Sequence, residues 1–184
     1  KRRKRFVWVL LVLVILAVSL PIAATKIYNT IQRSLYPIHY QELVEKYSEE
    51  YGLDTTLLYS IINTESSFQP DAVSSVGARG LMQLTSDTFD WVKSRLGEDE
   101  SLTFDSMFDP ETNIRFGSYL ISYLIGRFQN QDTALAAYHA GMGNVNKWLQ
   151  NEEYSSDGVT LHTIPFGDST WYVQKINQTI LKYQ

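Results

Sequence analysis

The feature that most limits how this chain can fold lies at its start. Lys1 to Arg5 is a basic run, and Phe6 to Ala24 is a run of 19 residues without a charge, interrupted only by Ser19 and Pro21. As a helix that run is roughly 28 Å long, close to the hydrocarbon thickness of a bilayer. Five positive charges before it predict that the N-terminus stays in the cytoplasm and the rest crosses. A cleavable signal peptide is the rival reading, with Ala23 and Ala24 near a cut site. The length of the apolar run favours a retained single-pass anchor over residues 1–25. Either way, residues 26 onward are expected outside the cytoplasm. Residues 26–39 read as a juxtamembrane helix or linker ended by Pro37, and residues 40–184 as one domain.

That leaves about 160 residues for a single core. Without the five N-terminal basic residues, 11 basic side chains face 20 acidic ones, a net charge of about −9. An acidic domain is a poor partner for nucleic acid, which calls for a basic footprint. There are no cysteines, hence no disulfide framework, no thiolate metal site and no cysteine to carry a lipid. His39, His139 and His162 are far apart and have no carboxylate at metal-ligand spacing, so neither a metal nor a cofactor is expected. Twelve tyrosines, eight phenylalanines and four tryptophans suit the stacking of sugar rings, though a helical core can use them equally well. Trp91, Trp148 and Trp171 read as core and groove wall.

Helical periodicity runs through the domain. Leu43, Val44 and Tyr47 form one side of a helix over 40–51 that closes at Gly52. Asp54 caps the next helix and Pro70 lies beyond its end. Asp71 to Gly80 is irregular. Thr85 or Ser86 caps a helix with Phe89, Val92 and Leu96 inward and Gly97 at its end. Glu98 to Phe108 reads as a solvated acidic loop. Asp109-Pro110 opens a helix to about Phe128 that buries Ile114, Ile121, Leu124, Ile125 and Phe128, with Gly117 allowing close approach. Short helices follow over 132–140 and 144–149, then a polar loop and a last helix from about Ser169 to Tyr183. No alternating strand pattern of useful length appears, so the domain is expected to be all-α.

Glu65 ends the helix that Asp54 caps. Leu57, Leu58, Ile61 and Ile62 mark its buried face, and Glu65 lies four residues after Ile61 and three after Ile62. A carboxyl on that face is partly desolvated, which raises its pKa toward neutral and suits a general acid. A frayed helix end pointing into water is the plainer alternative.

Three strings occur in order: Glu65-Ser66-Ser67-Phe68, Gly80-Leu81-Met82-Gln83 and Ala137-Tyr138-His139-Ala140-Gly141. Their identity and separation resemble the soluble lytic transglycosylase family, a lysozyme-like catalytic domain that cuts bacterial peptidoglycan. The resemblance covers roughly Tyr40 to Tyr183. It implies that Glu65 is the single catalytic acid and that Ser74 sits near the substrate's N-acetyl group. It implies that Met82 and Gln83 line the glycan groove and that Tyr138 stands close to Glu65. Gly77 and Gly80 would let backbone approach the glycan. The segment Ile164 to Val173 resembles one that usually holds a glutamate, an arginine and a tyrosine; Tyr172 keeps its place, whereas Asp168 and Thr170 replace the other two. His139 stands where the family usually has asparagine and joins the substrate-contact candidates.

The resemblance implies cleavage of the β-1,4 bond between N-acetylmuramic acid and N-acetylglucosamine without water. Protonated Glu65 would give its proton to the glycosidic oxygen and then, ionised, take one from the muramic 6-hydroxyl, leaving a 1,6-anhydro end. Two other readings stand beside it. A goose-type lysozyme would hydrolyse the same bond with a second acid, Asp168 or Asp71. A membrane-anchored glycan-binding module would bind without turnover. Envelope or secretion machinery is a further partner class that the residues leave open.

Overall fold

A computed structural model describes residues 2–184, with the side chains of residues 3–7, 9–12 and 14 left aside. The chain divides into two units, one ending at Pro37 and one spanning Ile38–Gln184. The first is a single helix, α1 (Arg2–Leu35). Pro21 sits inside it and has no N–H to give to the preceding turn. Residues 26–35 continue α1 rather than form an element of their own. Among the described residues no helix is long and apolar enough to cross a membrane. Lys1, Arg3, Lys4 and Arg5 and seven of the 19 residues of Phe6–Ala24, on which the anchor reading rests, lie outside the described side chains.

The second unit is helical among its described residues, with caps where the sequence placed them. It contains α2 (Gln41–Tyr51), α3 (Thr55–Ser66), α4 (Ser86–Leu96), α5 (Pro110–Phe128), α6 (Gln131–Ala140), α7 (Met142–Trp148) and α8 (Gly167–Tyr183). Asp54, Thr85 and Asp109 each accept a backbone N–H in the first turn of α3, α4 and α5. Gly52 and Gly97 close α2 and α4 in the left-handed conformation. In α8 the helix begins two residues before the expected Ser169. The inward faces of α2, α3, α5, α6 and α8 share one core, in which Val44, Leu58, Ile61, Ile62, Ile114, Ile121 and Ile176 are fully buried. Helix α5 packs on α2, α4 and α6, and α8 packs on α3 and α6.

Residues 104–108 correct the expectation of a solvated loop, since they form a 3-10 turn. Met107 is fully buried, and Phe104 packs on Phe89 at 5.7 Å between ring centroids. Arg79 lies over the rings of Phe104 and Phe108 and pairs with Asp105 at 2.6 Å. Acidic neighbours hid an apolar anchor.

No strand forms among the described residues, but residues 72–84 fold back on themselves through two isolated bridges, Val73 with Arg79 and Arg79 with Leu84. Asn113, in the first turns of α5 and fully buried, pins this loop. Its carbonyl accepts from Met82 N at 2.7 Å, and its amide donates to the carbonyls of Met107 at 2.9 Å and Arg79 at 3.0 Å. Gly80 is needed for this approach: its φ is +76°, and a Cβ there would lie 2.0 Å from the Met107 carbonyl and 2.3 Å from the Asn113 amide. So Gly80 faces the core and not a ligand, contrary to the expectation. Gly77, at φ +79° with open space around it, serves the turn.

Asn113→Ala leaves the Met82 N–H and the Met107 carbonyl buried without partners. The expected cost is about 3 kcal/mol, read as a lower urea midpoint with an unchanged slope; a change below about 0.5 kcal/mol would contradict the pinning role.

Candidate active site

The buried face of α3 carries Glu65 into the interior at the helix's last turn. Leu58, Ile61 and Ile62 are fully buried, and Glu65 follows them on the same side while keeping an edge toward solvent. Ser66, next in sequence, donates to the Leu81 carbonyl at 2.8 Å and ties the end of α3 to the 72–84 loop. Burial pushes the Glu65 carboxyl from its ordinary 4.5 up to about 7, and the Tyr172 hydroxyl works in the opposite direction. Among the described residues no cation acts on it.

Glu65 opens into a hollow of about 250 Å³ lined also by Ser74, Val76, Gln83, Thr88, Leu120, Tyr138 and His139. Glu65 is its only carboxylate. Thr88, Leu120 and Tyr138 are shared with a second hollow of about 210 Å³, walled by Trp91 and Met142 with Asp87 at its lip. His139 is shared with a third, on the side of Pro165 to Ser169. The three hollows therefore adjoin one another across Thr88, Leu120, Tyr138 and His139, with the Glu65 hollow in the middle. The 72–84 loop and α4 border them on one side, and α6 with the start of α8 on the other.

The expected site residues separate into two groups. Ser74, Gln83, Tyr138 and His139 do meet Glu65 in the hollow. Ser74 Oγ accepts from Ala78 N at 3.1 Å, which leaves its hydroxyl proton to be donated elsewhere. The Gln83 amide nitrogen is held by the carbonyls of Gly80 at 2.8 Å and Ala72 at 3.1 Å. The Tyr138 hydroxyl donates to the Met82 carbonyl at 2.7 Å, and burial raises its pKa well above the usual value, so the phenol stays neutral.

Met82 and Tyr172 lie apart from the hollow surface. The Met82 side chain is fully buried and fills the space over Gly117, where a Cβ would fall 2.3 Å from the methionine sulfur. It contributes a backbone carbonyl beneath the site and no groove surface. Tyr172 is likewise buried and lines none of the three hollows. Its hydroxyl meets no partner in strict hydrogen-bond geometry, yet it stands close enough to act on Glu65. Its own pKa lies well above the usual value, first through burial and then through Glu65.

His139 bonds Ser169 Oγ through Nδ1 at 3.0 Å. Burial holds its pKa below the usual value, with Asp168 opposing. Asp168 itself is exposed at the start of α8. Neither Asp168 nor Asp71 acts on Glu65. Trp148 belongs to the core, Trp91 to the groove wall, and Trp171 is exposed. Among the described residues no group of His, Asp and Glu could hold a metal ion. Thr88, Leu120 and Val76 were not singled out from sequence. Leu120 belongs to the apolar stripe of α5, and nothing local separates a groove-lining leucine from a core one.

The domain is thus all-helical among its described residues, with one desolvated carboxyl opening into a surface hollow. The profile of the transglycosylase SLT domain matches residues 42–159, and the chain belongs to that family. It is 31% identical over 143 residues to the soluble lytic murein transglycosylase of Escherichia coli K12, a match covering 77% of this chain and 22% of that protein. It is also 31% identical, over 166 residues, to membrane-bound lytic murein transglycosylase C of Yersinia pestis, covering 79% and 46%. Among solved structures, an inactive glutamate-to-glutamine mutant of the lytic transglycosylase Slt from Pseudomonas aeruginosa superposes with a TM-score of 0.71 at 31% identity, covering 80% and 24%. The chain spans less than half the length of these relatives.

Stability should report the buried carboxyl. Between 4.5 and about 7 the folded chain holds a proton that the unfolded chain has released, so stability falls as pH rises through that range. The full loss is up to about 3 kcal/mol. Glu65→Gln is therefore expected to be the more stable protein at pH 8, by up to that amount, and to match the wild type within about 1 kcal/mol at pH 4. Denaturant titrations at the two pH values check this; a wild type that equals Glu65→Gln at pH 8 would show a solvated carboxyl.

Proposed function

We propose that the domain cleaves the β-1,4 bond between N-acetylmuramic acid and N-acetylglucosamine in peptidoglycan strands without water, forming 1,6-anhydromuramic ends. The observation that carries this reading is the solitary Glu65, the one carboxylate in its hollow, with a pKa near 7. A hydrolase of the usual kind needs a second carboxylate to activate water. Asp71 and Asp168, the candidates for that task, do not reach Glu65. A single acid suffices when the substrate supplies the nucleophile.

Each residue then has a task. Glu65, protonated, donates to the glycosidic oxygen as the bond breaks. The muramic acetamido oxygen meets the positive charge at the anomeric carbon, and the free Ser74 hydroxyl proton orients that acetamido group. Ionised Glu65 then removes the 6-hydroxyl proton, and that oxygen closes onto the anomeric carbon. The proton count is restored and no water enters. A pKa near 7 serves both halves, since the group must give and take a proton at similar cost. Gln83 and the Trp91 wall hold neighbouring sugars. The relatives named above support the same reading, including the mutant inactivated by loss of a glutamate.

We further infer that α1 anchors the domain on the outer side of the cell membrane. Its described apolar side chains are exposed, with Trp8 at 69% and Leu20 at 63%, and a helix that leaves so much apolar surface uncovered calls for a lipid environment.

Mass spectrometry of glycan strands digested by the protein tests the chemistry, with anhydro ends expected and reducing ends contradicting it. Glu65→Gln should lower the rate by roughly 10³-fold or more; a variant with wild-type turnover removes Glu65 from the reaction. For the wild type, activity should fall as pH rises through about 7, because the group must start protonated.

A further inference from the structure

The Tyr172 hydroxyl is buried, makes no hydrogen bond of strict geometry and acts on Glu65. A contact that loose does not by itself fix the ring, so the packing around Tyr172 has to hold it in place. Two rings from consecutive positions of α6 lie against Tyr172. The Tyr138 ring is nearly parallel to it, at 6.4 Å and 4°, and the His139 ring is closer, at 4.7 Å and 30°. His139 has a second hold on the same helix. Its Nδ1 pairs with Ser169 Oγ at 3.0 Å, and Ser169, only 1% exposed, precedes Tyr172 by one turn of α8. His139 thus grips α8 at two points one turn apart, and that turn carries the only side chain from α8 that acts on the carboxyl.

We infer that His139 is a positioning residue: by stacking on Tyr172 and bonding Ser169, it fixes the turn of α8 that aims the Tyr172 hydroxyl at the Glu65 carboxyl. The inference rests on the proposed function. The asparagine expected at this position could bond Ser169 but offers no ring to Tyr172, so the device belongs to this chain's own substitution.

Charges separate this role from simple packing. The groups acting on Glu65 are Tyr172 of α8 and, through its neighbouring phenol, Tyr138 of α6; no charged group of the 72–84 loop acts on it. Asp168 of α8 acts on His139. Burial holds His139 below its usual pKa, so the ring is neutral where Glu65 titrates and its removal changes no charge there. The Tyr172 hydroxyl favours ionised Glu65. If its aim is lost, the carboxyl holds its proton to higher pH, and the alkaline limb of the activity profile moves up.

The test compares pH profiles of glycan-strand cleavage for the full chain and for His139→Ala, His139→Phe, Tyr172→Phe and the double variant H139A/Y172F. Tyr172→Phe should move the alkaline limb up by at most about one pH unit, because the loosely aimed hydroxyl that favours the ionised carboxyl is gone. His139→Ala should move it the same way, and the double variant should match Tyr172→Phe alone, because both changes remove one effect. His139→Phe keeps a flat ring on Tyr172 while losing the Ser169 bond, so its alkaline limb should stay nearer to that of the wild type than to that of His139→Ala. The inference is overturned if His139→Ala leaves the limb in place, if Tyr172→Phe does, or if the two shifts add. Should His139→Ala fail to fold, His139→Phe decides alone, a full shift overturning the inference and a wild-type limb supporting it. Anhydro products from the wild type, confirmed first, keep a failure here distinct from a failure of the proposed function.

Discussion

The structure of the site depends on one carboxyl that is desolvated and left without a counter-charge. Placing a Glu where burial opposes its ionised form costs stability at neutral pH. That cost is tolerated because α3 is anchored by Leu58, Ile61 and Ile62, all fully buried, so the helix end cannot swing Glu65 out to water without uncovering them. A lysine or arginine beside Glu65 would relieve the cost and drop its pKa into the ordinary carboxylate range. The domain instead sets neutral groups around it, among them the phenols of Tyr138 and Tyr172, whose own ionisation is suppressed by burial and by Glu65.

The rest of the unit can be understood as support for that arrangement. The 72–84 loop contributes Ser74 and Gln83 to the groove, and it is held from beneath by Asn113 and by the fit of Gly80 against Met107 and Asn113. Met82, filling the space over Gly117, presents its carbonyl to Tyr138, so one residue links the loop, α5 and α6. A groove wall of small and hydroxyl side chains thus rests on a rigid apolar floor. The Glu65 hollow and its Trp91 neighbour share Thr88, Leu120 and Tyr138, and a strand of several sugars would cross α4, α5 and α6 together.

What could be read from sequence was what local physics controls. The caps Asp54, Thr85 and Asp109 and the closing glycines Gly52 and Gly97 announce helix ends within a residue or two. Glu65 was legible because its spacing from Ile61 and Ile62 is a property of one helix. Illegible were the side chains whose roles arise from distant partners. Met82 and Gly80 belong to a motif that reads as groove lining, yet both point inward, because α5 supplies Gly117 and Asn113 from some 30 residues away. Tyr172 was placed among the substrate contacts by its motif, yet its ring is buried and lines none of the hollows. Residues 104–108 looked solvated because acidic neighbours surround Met107 and Phe104. Asn113 did leave a trace: it lies four residues before Gly117 on the apolar stripe of α5, and a polar residue there must find buried partners.

The most direct measurement is a site-resolved titration of the Glu65 carboxyl, by carbon NMR of labelled glutamate assigned through Glu65→Gln. The account predicts a midpoint near 7 in the free protein. A midpoint near the ordinary 4.5 would mean that the carboxyl is solvated and ionised at neutral pH, and could not begin the reaction as an acid.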